Sequence, residues 1–131
     1  MTQIYYEQDA DLRAIAEQTV AVVGYGNQGR PWALNLRDSG VKPCVCVRND
    51  ATRARAEQDG FTTGDIRDAQ DADIVCILVP DDVIPTLGLE RKDDQLTIVA
   101  SGYCYAFKRF MPAGDLTMIA PRMLGPEVRK C

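Results

Sequence analysis

Gly24-Tyr25-Gly26-Asn27-Gln28-Gly29 is the stretch whose spacing most directly implies a ligand. It is a G-x-G-x-x-G run placed right after the apolar residues 19–23 and right before an amphipathic stretch. A strand before and a helix after are the context that gives this pattern meaning. The first glycine permits a tight turn, the second lets backbone approach a pyrophosphate, and the third lets helix and strand pack closely. The helix start then offers free N–H groups and a partial positive charge to phosphates. Gly24, Tyr25, Gly26, Asn27, Gln28 and Gly29 are therefore the expected dinucleotide-binding loop.

Arg48 follows the next apolar run, where NAD-binding domains usually carry an acidic residue for the ribose hydroxyls. A guanidinium there suits a 2′-phosphate, which it can bond bidentately. Thr52 and Arg53 can add a hydroxyl and a second cation. This favours NADP, with NAD as the alternative, because a carboxylate at Asp50 would repel a 2′-phosphate. Arg48 and Asp50 can also simply pair in solvent.

Val79-Pro80-Asp81 closes the fourth apolar run, and Ser101-Gly102-Tyr103 follows the fifth. In an open parallel sheet both turns lie at the carboxyl edge, beside a bound dinucleotide. Val79, Pro80, Asp81, Ser101 and Gly102 are expected at the cofactor, although Asp81 and Asp82 can equally cap the next helix. Ser101 and Tyr103 are the candidate hydrogen-bond donors to a reacting group. The chain has 0 histidines. That removes Ser-His-Asp and Cys-His nucleophile pairs and imidazole metal sites. Five cysteines, at 44, 46, 76, 104 and 131, show no metal-ligand spacing. They read as reduced, buried, intracellular thiols, with Cys44 and Cys46 on one strand face. No metal site is expected.

The elements that must position these residues alternate. Residues 9–17 read as a short helix with Leu12, Ile15 and Ala16 on one face. Apolar runs at 19–23, 43–47, 61–63, 73–79, 96–100 and 116–120 read as strands. Residues 27–39 form a helix carrying Trp32, with Pro31 in its first turn and Gly40 after its end. Residues 48–52 read as a polar loop before a charged helix that ends at Asp59-Gly60. Residues 65–70 read as a short helix, and Pro80-Asp81-Asp82 can start another. The unbroken apolarity of residues 73–79 implies burial on both faces. The expected fold is α/β: a doubly wound, mostly parallel, Rossmann-like sheet of about six strands with flanking helices. Residues 1–131 are expected to form one domain.

Composition narrows the partners. Hydrophobic residues are 46% and charged residues 26%, near the average for globular domains. No apolar run reaches the length of about 18 residues that suggests a membrane span, and the first residues lack the basic and apolar regions of a secretory leader. The net charge is −4 with no basic stripe, which argues against nucleic acid or an anionic membrane as partner. A cytoplasmic protein acting on a small molecule is expected.

Ile4-Tyr5-Tyr6, the run from Val20 to Gly29, Ala33-Leu34-Asn35-Leu36-Arg37-Asp38-Ser39-Gly40-Val41, Ile77-Leu78-Val79-Pro80-Asp81 and Ala120-Pro121 together resemble the N-terminal domain of ketol-acid reductoisomerase. The resemblance covers nearly the whole chain. It implies an NADP-dependent enzyme that isomerises a 2-acetolactate-type substrate with Mg²⁺ and then reduces the product, with a helical second domain holding the metal. The departures are specific. Ser101, Ala106 and Pro126 stand where the family carries histidine, and Arg122 stands where it carries lysine. Arginine keeps the charge but does not release a proton near neutral pH.

Three expectations follow. The first is an NAD(P)-dependent reductase acting on a C=O or C=N group of a small substrate, without the Mg-dependent isomerisation. Ser101 and Tyr103 would donate hydrogen bonds, Arg122 would hold a substrate carboxylate, and a second copy or partner chain would supply the missing lid; the apolar face at Leu12 and Ile15 suits a homodimer. The second is a non-catalytic dinucleotide-binding module, or a cofactor-domain fragment or subunit of a larger enzyme. The third is a nucleotide-binding α/β protein of another kind.

Overall fold

A computed structural model describes residues 1–90, 92–121 and 123–130. Arg122 and Cys131, both singled out above, lie outside the described residues.

Six strands form one sheet: β1 Val20–Val23, β2 Cys44–Cys46, β3 Thr62–Gly64, β4 Ile74–Ile77, β5 Leu96–Val99 and β6 Asp115–Met118. Their order is β3-β2-β1-β4-β5-β6, and every neighbouring pair is parallel. The chain winds outward from β1 to β3, then crosses back to β4 beside β1. The order reverses between β1 and β4, so a crevice opens there above the carboxyl ends of the strands.

Both faces of the central strands are buried, as a parallel sheet requires. Val20, Val22, Ile74 and Cys76 face one layer of core; Ala21, Val23, Val75 and Ile77 face the other. The first layer is closed by helix α2, Gly29–Asp38, and helix α3, Ala51–Gln58, which insert Ala33, Leu34 and Ala56. The second is closed more sparsely. A 3-10 turn at Ile66–Asp71, another at Ile84–Thr86 and a single-turn helix supply Ala69, Ile84 and Cys104. The remaining helices are short: α1 is Arg13–Ala16, and α4 is that single turn, Tyr103–Ala106.

Three local differences from the sequence reading have clear causes. Helix α3 starts inside residues 48–52, because the Asp50 side chain accepts the Thr52 N–H at 2.9 Å and caps the helix there. The stretch after β4 makes turns instead of an α-helix: Pro85 sits in the 3-10 segment and leaves no N–H to continue one. The helix expected over residues 9–17 is confined to Arg13–Ala16, after a 3-10 turn at Glu7–Asp9. Gly40, at φ +86°, follows the end of α2, where its N–H donates to Arg37.

Candidate functional site: a dinucleotide cleft

Two crevices meet at the β1–β4 switch point. One, of about 600 Å³, lies over β1 and β2 and is lined by the glycine loop, Val47, Arg48, Asp50 and Thr52. The other, of about 340 Å³, lies over β4 and β5 and is lined by residues 26–28, 77–81, 100 and 101. Gly26, Leu78, Val79 and Pro80 belong to both, so the two form one continuous cleft.

The three glycines differ in what surrounds them. Gly24 has φ +97°, and a Cβ there would lie 2.5 Å from the Leu78 carbonyl oxygen. A Cβ on Gly29 would lie 2.2 Å from the Gly24 carbonyl oxygen. Both positions are closed to any side chain by backbone. A Cβ on Gly26 would meet nothing within 4 Å. It points into open space, where a phosphate can approach the bare backbone. No side chain caps the start of α2; the Arg30 N–H donates to the Gly26 carbonyl at 3.2 Å and Pro31 has none, so the N–H groups that precede Arg30 are the ones left to an anion. These features fit a dinucleotide pyrophosphate. Trp32 stands one turn into α2, its indole N–H donating to Gln28 Oε1 at 3.2 Å.

Tyr25 lines the first crevice, but its side chain is turned into the core. Its ring is 3% exposed and packs edge-on against Phe61, with centroids 5.9 Å apart. Its hydroxyl donates to Asp59 Oδ2 at 2.7 Å. Burial, and then the Asp59 carboxylate, raise its pKa and keep the phenol protonated. Asn27 is held from the other side: a Cβ on Gly125 would lie 1.9 Å from the Asn27 carbonyl oxygen. The 3-10 turn Gly125–Arg129 lies along α2, where Asn35 Nδ2 donates to the Val128 carbonyl and Arg129 donates to Asn35 and Asp38.

At the far end of the first crevice the Arg48 side chain is 83% exposed, with Nε 3.6 Å from Asp50 Oδ2. Such an exposed pair is weak, so Arg48 stays free to turn to a ligand. Asp50 is committed to the start of α3. The Thr52 N–H, more than Arg48, holds its carboxyl below the usual range. Arg53 is placed otherwise than a phosphate ligand would be. Its Nη2 donates to the Val47 and Gly64 carbonyls at 2.8 and 3.1 Å and pairs with Asp65, tying α3 to the ends of β2 and β3.

At the other crevice, Ser101 Oγ lies 3.0 Å from Asp81 Oδ2 and donates to it. The Asp81 carbonyl accepts the Cys104 thiol at 3.0 Å. Burial first, then Asp81, raise the Cys104 pKa, so the thiol stays protonated. Burial pushes Cys46 and Cys76 up to about 12. The Cys44 and Cys46 sulfurs lie 4.0 Å apart on one face of β2. Val79, Asp81, Ser101 and Gly102 are half-buried at the carboxyl edge, and Pro80 is exposed there. Tyr103 lies outside both crevices. It is exposed on α4, its ring 4.7 Å from Phe107, with the Arg109 guanidinium 5.7 Å away. Of the family's three histidine positions, only Ser101 lines the cleft; Ala106 and Pro126 are exposed elsewhere. The residues that the sequence reading missed are Asp59 and Gly125.

A parallel sheet in this order, with a bare glycine loop at its switch point, defines a dinucleotide-binding α/β domain. Residues 14–131 match the family model described as the NADPH-binding domain of acetohydroxy acid isomeroreductase. The chain belongs to this family. It is 41% identical to the ketol-acid reductoisomerase (NADP(+)) of Caldivirga maquilingensis, over 98% of this chain and 42% of that protein. It is 40% identical to that of Sulfolobus acidocaldarius, over 99% and 42%. The chain thus spans less than half the length of these curated relatives. Among solved structures it is similar to an NADH-preferring ketol-acid reductoisomerase from an uncultured archaeon, with a TM-score of 0.91 and 31% identity, covering 98% of this chain and 43% of that one. An imine reductase from Myxococcus stipitatus, at 19% identity and a TM-score of 0.66, shares the fold.

Proposed function

We propose that the cleft binds NADP(H), with the pyrophosphate on the Gly26 backbone and the α2 start, the 2′-phosphate at Arg48 and Thr52, and the nicotinamide beside Val79–Asp81 and Ser101. The observation that carries this reading is the contrast among the glycines. Backbone closes Gly24 and Gly29 to any side chain, while Gly26 alone of the three has nothing within 4 Å of its Cβ position. Arg48 favours NADP over NAD because its guanidinium can bond a 2′-phosphate bidentately, while the ionised Asp50 beside it in the crevice opposes that preference.

We further propose a reductase acting on a C=O or C=N carbon of a small substrate without a Mg-dependent isomerisation. Bound NADPH would supply the hydride. Ser101 directs its own proton to Asp81 and accepts the Tyr103 N–H at 3.3 Å, which leaves one lone pair as acceptor. It therefore orients a donor group, such as the nicotinamide carboxamide, and the proton that completes the reduction comes from solvent. Arg122, where the family carries lysine, would hold a substrate carboxylate, and Tyr103 would contribute only from the rim. The lid would come from a second copy or a partner chain. The exposed apolar side chains of Phe107, Met118, Ile119 and Leu124 suit such a cover. The second reading, a cofactor-binding part of a larger enzyme, is supported by the 42% of the relatives' length that the chain spans.

Titration with NADPH and NADH, followed by Trp32 emission, tests the binding. NADPH is expected to bind at least tenfold more tightly; tighter NADH binding overturns the role of Arg48. Turnover of NADPH with a panel of ketones and imines then separates the two readings. Tight binding without any turnover favours the module.

A further inference from the structure

One carboxylate outside the cleft grips the glycine loop on both flanks. Asp59 sits at the carboxyl end of α3, where its N–H closes the helix on Arg55 and Glu57. Its Oδ2 accepts both the Tyr25 hydroxyl at 2.7 Å and Arg30 Nε at 2.8 Å, and its Oδ1 accepts Arg30 Nη2 at 3.2 Å. Its carbonyl accepts Arg37 Nη1 at 2.7 Å. The Arg37 guanidinium also lies over the Phe61 ring, 5.3 Å from its centroid, and Tyr25 packs edge-on against that same ring. Tyr25 stands between Gly24 and Gly26, and Arg30 follows Gly29. The carboxylate therefore fixes the loop just before the open glycine and just after the closed one. Neither Asp59 nor Arg30 lines the cleft.

The donor set explains why an acid stands here. Three donors need acceptors on both oxygens, which a carboxylate provides and an amide does not. The pair is also charge-assisted and only 22% exposed on the Asp59 side. The same helix carries Asp50 at its other end, beside Arg48. Helix α3 thus connects the pyrophosphate loop to the residues expected at the 2′-phosphate.

We propose that Asp59 is a positioning residue for the dinucleotide: through Tyr25 and Arg30 it sets the Gly24–Gly29 backbone in the shape that receives the pyrophosphate, and α3 holds that loop in register with Arg48. This assignment rests on the proposed binding of a dinucleotide in the cleft.

Its test compares two ligands on the full chain. NADPH spans the loop and the Arg48 end; adenosine 2′-phosphate reaches only the Arg48 end and carries no pyrophosphate. Two single variants, Asp59→Asn and Tyr25→Phe, and the double variant are titrated with both. Tyr25→Phe keeps the ring against Phe61 and removes only the hydroxyl, so it preserves the core even if Asp59→Asn weakens the fold. Each single variant is expected to raise the Kd for NADPH about tenfold and to change that for adenosine 2′-phosphate less than twofold. The double variant is expected to lose little more than either single one, because both break the same link. Equal losses for the two ligands, or NADPH binding unchanged in both single variants, overturn the assignment while the binding reading stands. A parent chain that binds neither ligand overturns the binding reading and this assignment with it.

Discussion

On the β1–β2 side of the cleft, charge is turned inward and bonded. Asp59 takes Tyr25 and Arg30, Arg53 takes two backbone carbonyls and Asp65, and Asp50 caps its helix. On the β4–β6 side polar contacts are few. Ser101 and Asp81 make one bond, Tyr103 lies on the surface, and β6 is largely exposed at the sheet edge. The first side is finished within this chain, down to the shape of its loop. The second presents apolar side chains with no cover in the described residues. On the proposed reading, such a domain carries the dinucleotide seat on its own residues, while the chemistry at the far end depends on what closes over it.

The contrast breaks most completely at the glycine loop. Gly29→Ala places a methyl group 2.2 Å from a backbone oxygen, so the loop must shift. A loss of about 3 kcal/mol of stability is expected in thermal melts, with NADPH binding abolished. Arg48→Glu comes next. It should leave the melting temperature nearly unchanged and shift the NADPH-to-NADH affinity ratio about 30-fold toward NADH, of the order that loss of a bidentate charge-assisted contact allows. A ratio that stays constant would place the 2′-phosphate elsewhere.

Asp59→Asn tests the same side through acid. Arg30, and then Tyr25, hold the Asp59 carboxyl down at about 2, below its ordinary 3.8. A lowered folded pKa gives stability that is present above about pH 4 and is lost as pH falls toward 2. The variant should cost about 1 kcal/mol near neutral pH, allowing for solvent screening. Urea midpoints of parent and variant should converge near pH 2. A constant gap across that range contradicts the ion pair. The smallest effect is expected on the other side: Tyr103→Ala should change stability by less than about 0.5 kcal/mol and NADPH affinity by less than twofold. A larger loss in affinity would bring Tyr103 into the cleft.

What was legible in the sequence was whatever short-range pattern controls. The buried strands show as apolar runs, and the glycine loop shows as spacing between a strand and a helix. The position of Arg48 at the cleft was legible by its place after β2. Asp59 was not. It ends a charged helix and reads as a solvated cap, and only the fold brings Tyr25, 34 positions away, to its carboxylate. At Arg53 the charge was visible in the sequence but its three acceptors were not. Tyr103 and Cys104 are adjacent, yet successive residues on a helical turn point about 100° apart, and burial took the thiol rather than the phenol.

The contact of Gly125 with Asn27, and of Arg129 with Asn35 94 positions earlier, bears on the order in which the protein assembles. Synthesis delivers the glycine loop early, but the segment that seals its flank emerges only after all six strands. A contact spanning this much sequence forms late, because loop closure must come first. Within this domain the glycine loop thus precedes by all six strands the segment that completes its flank.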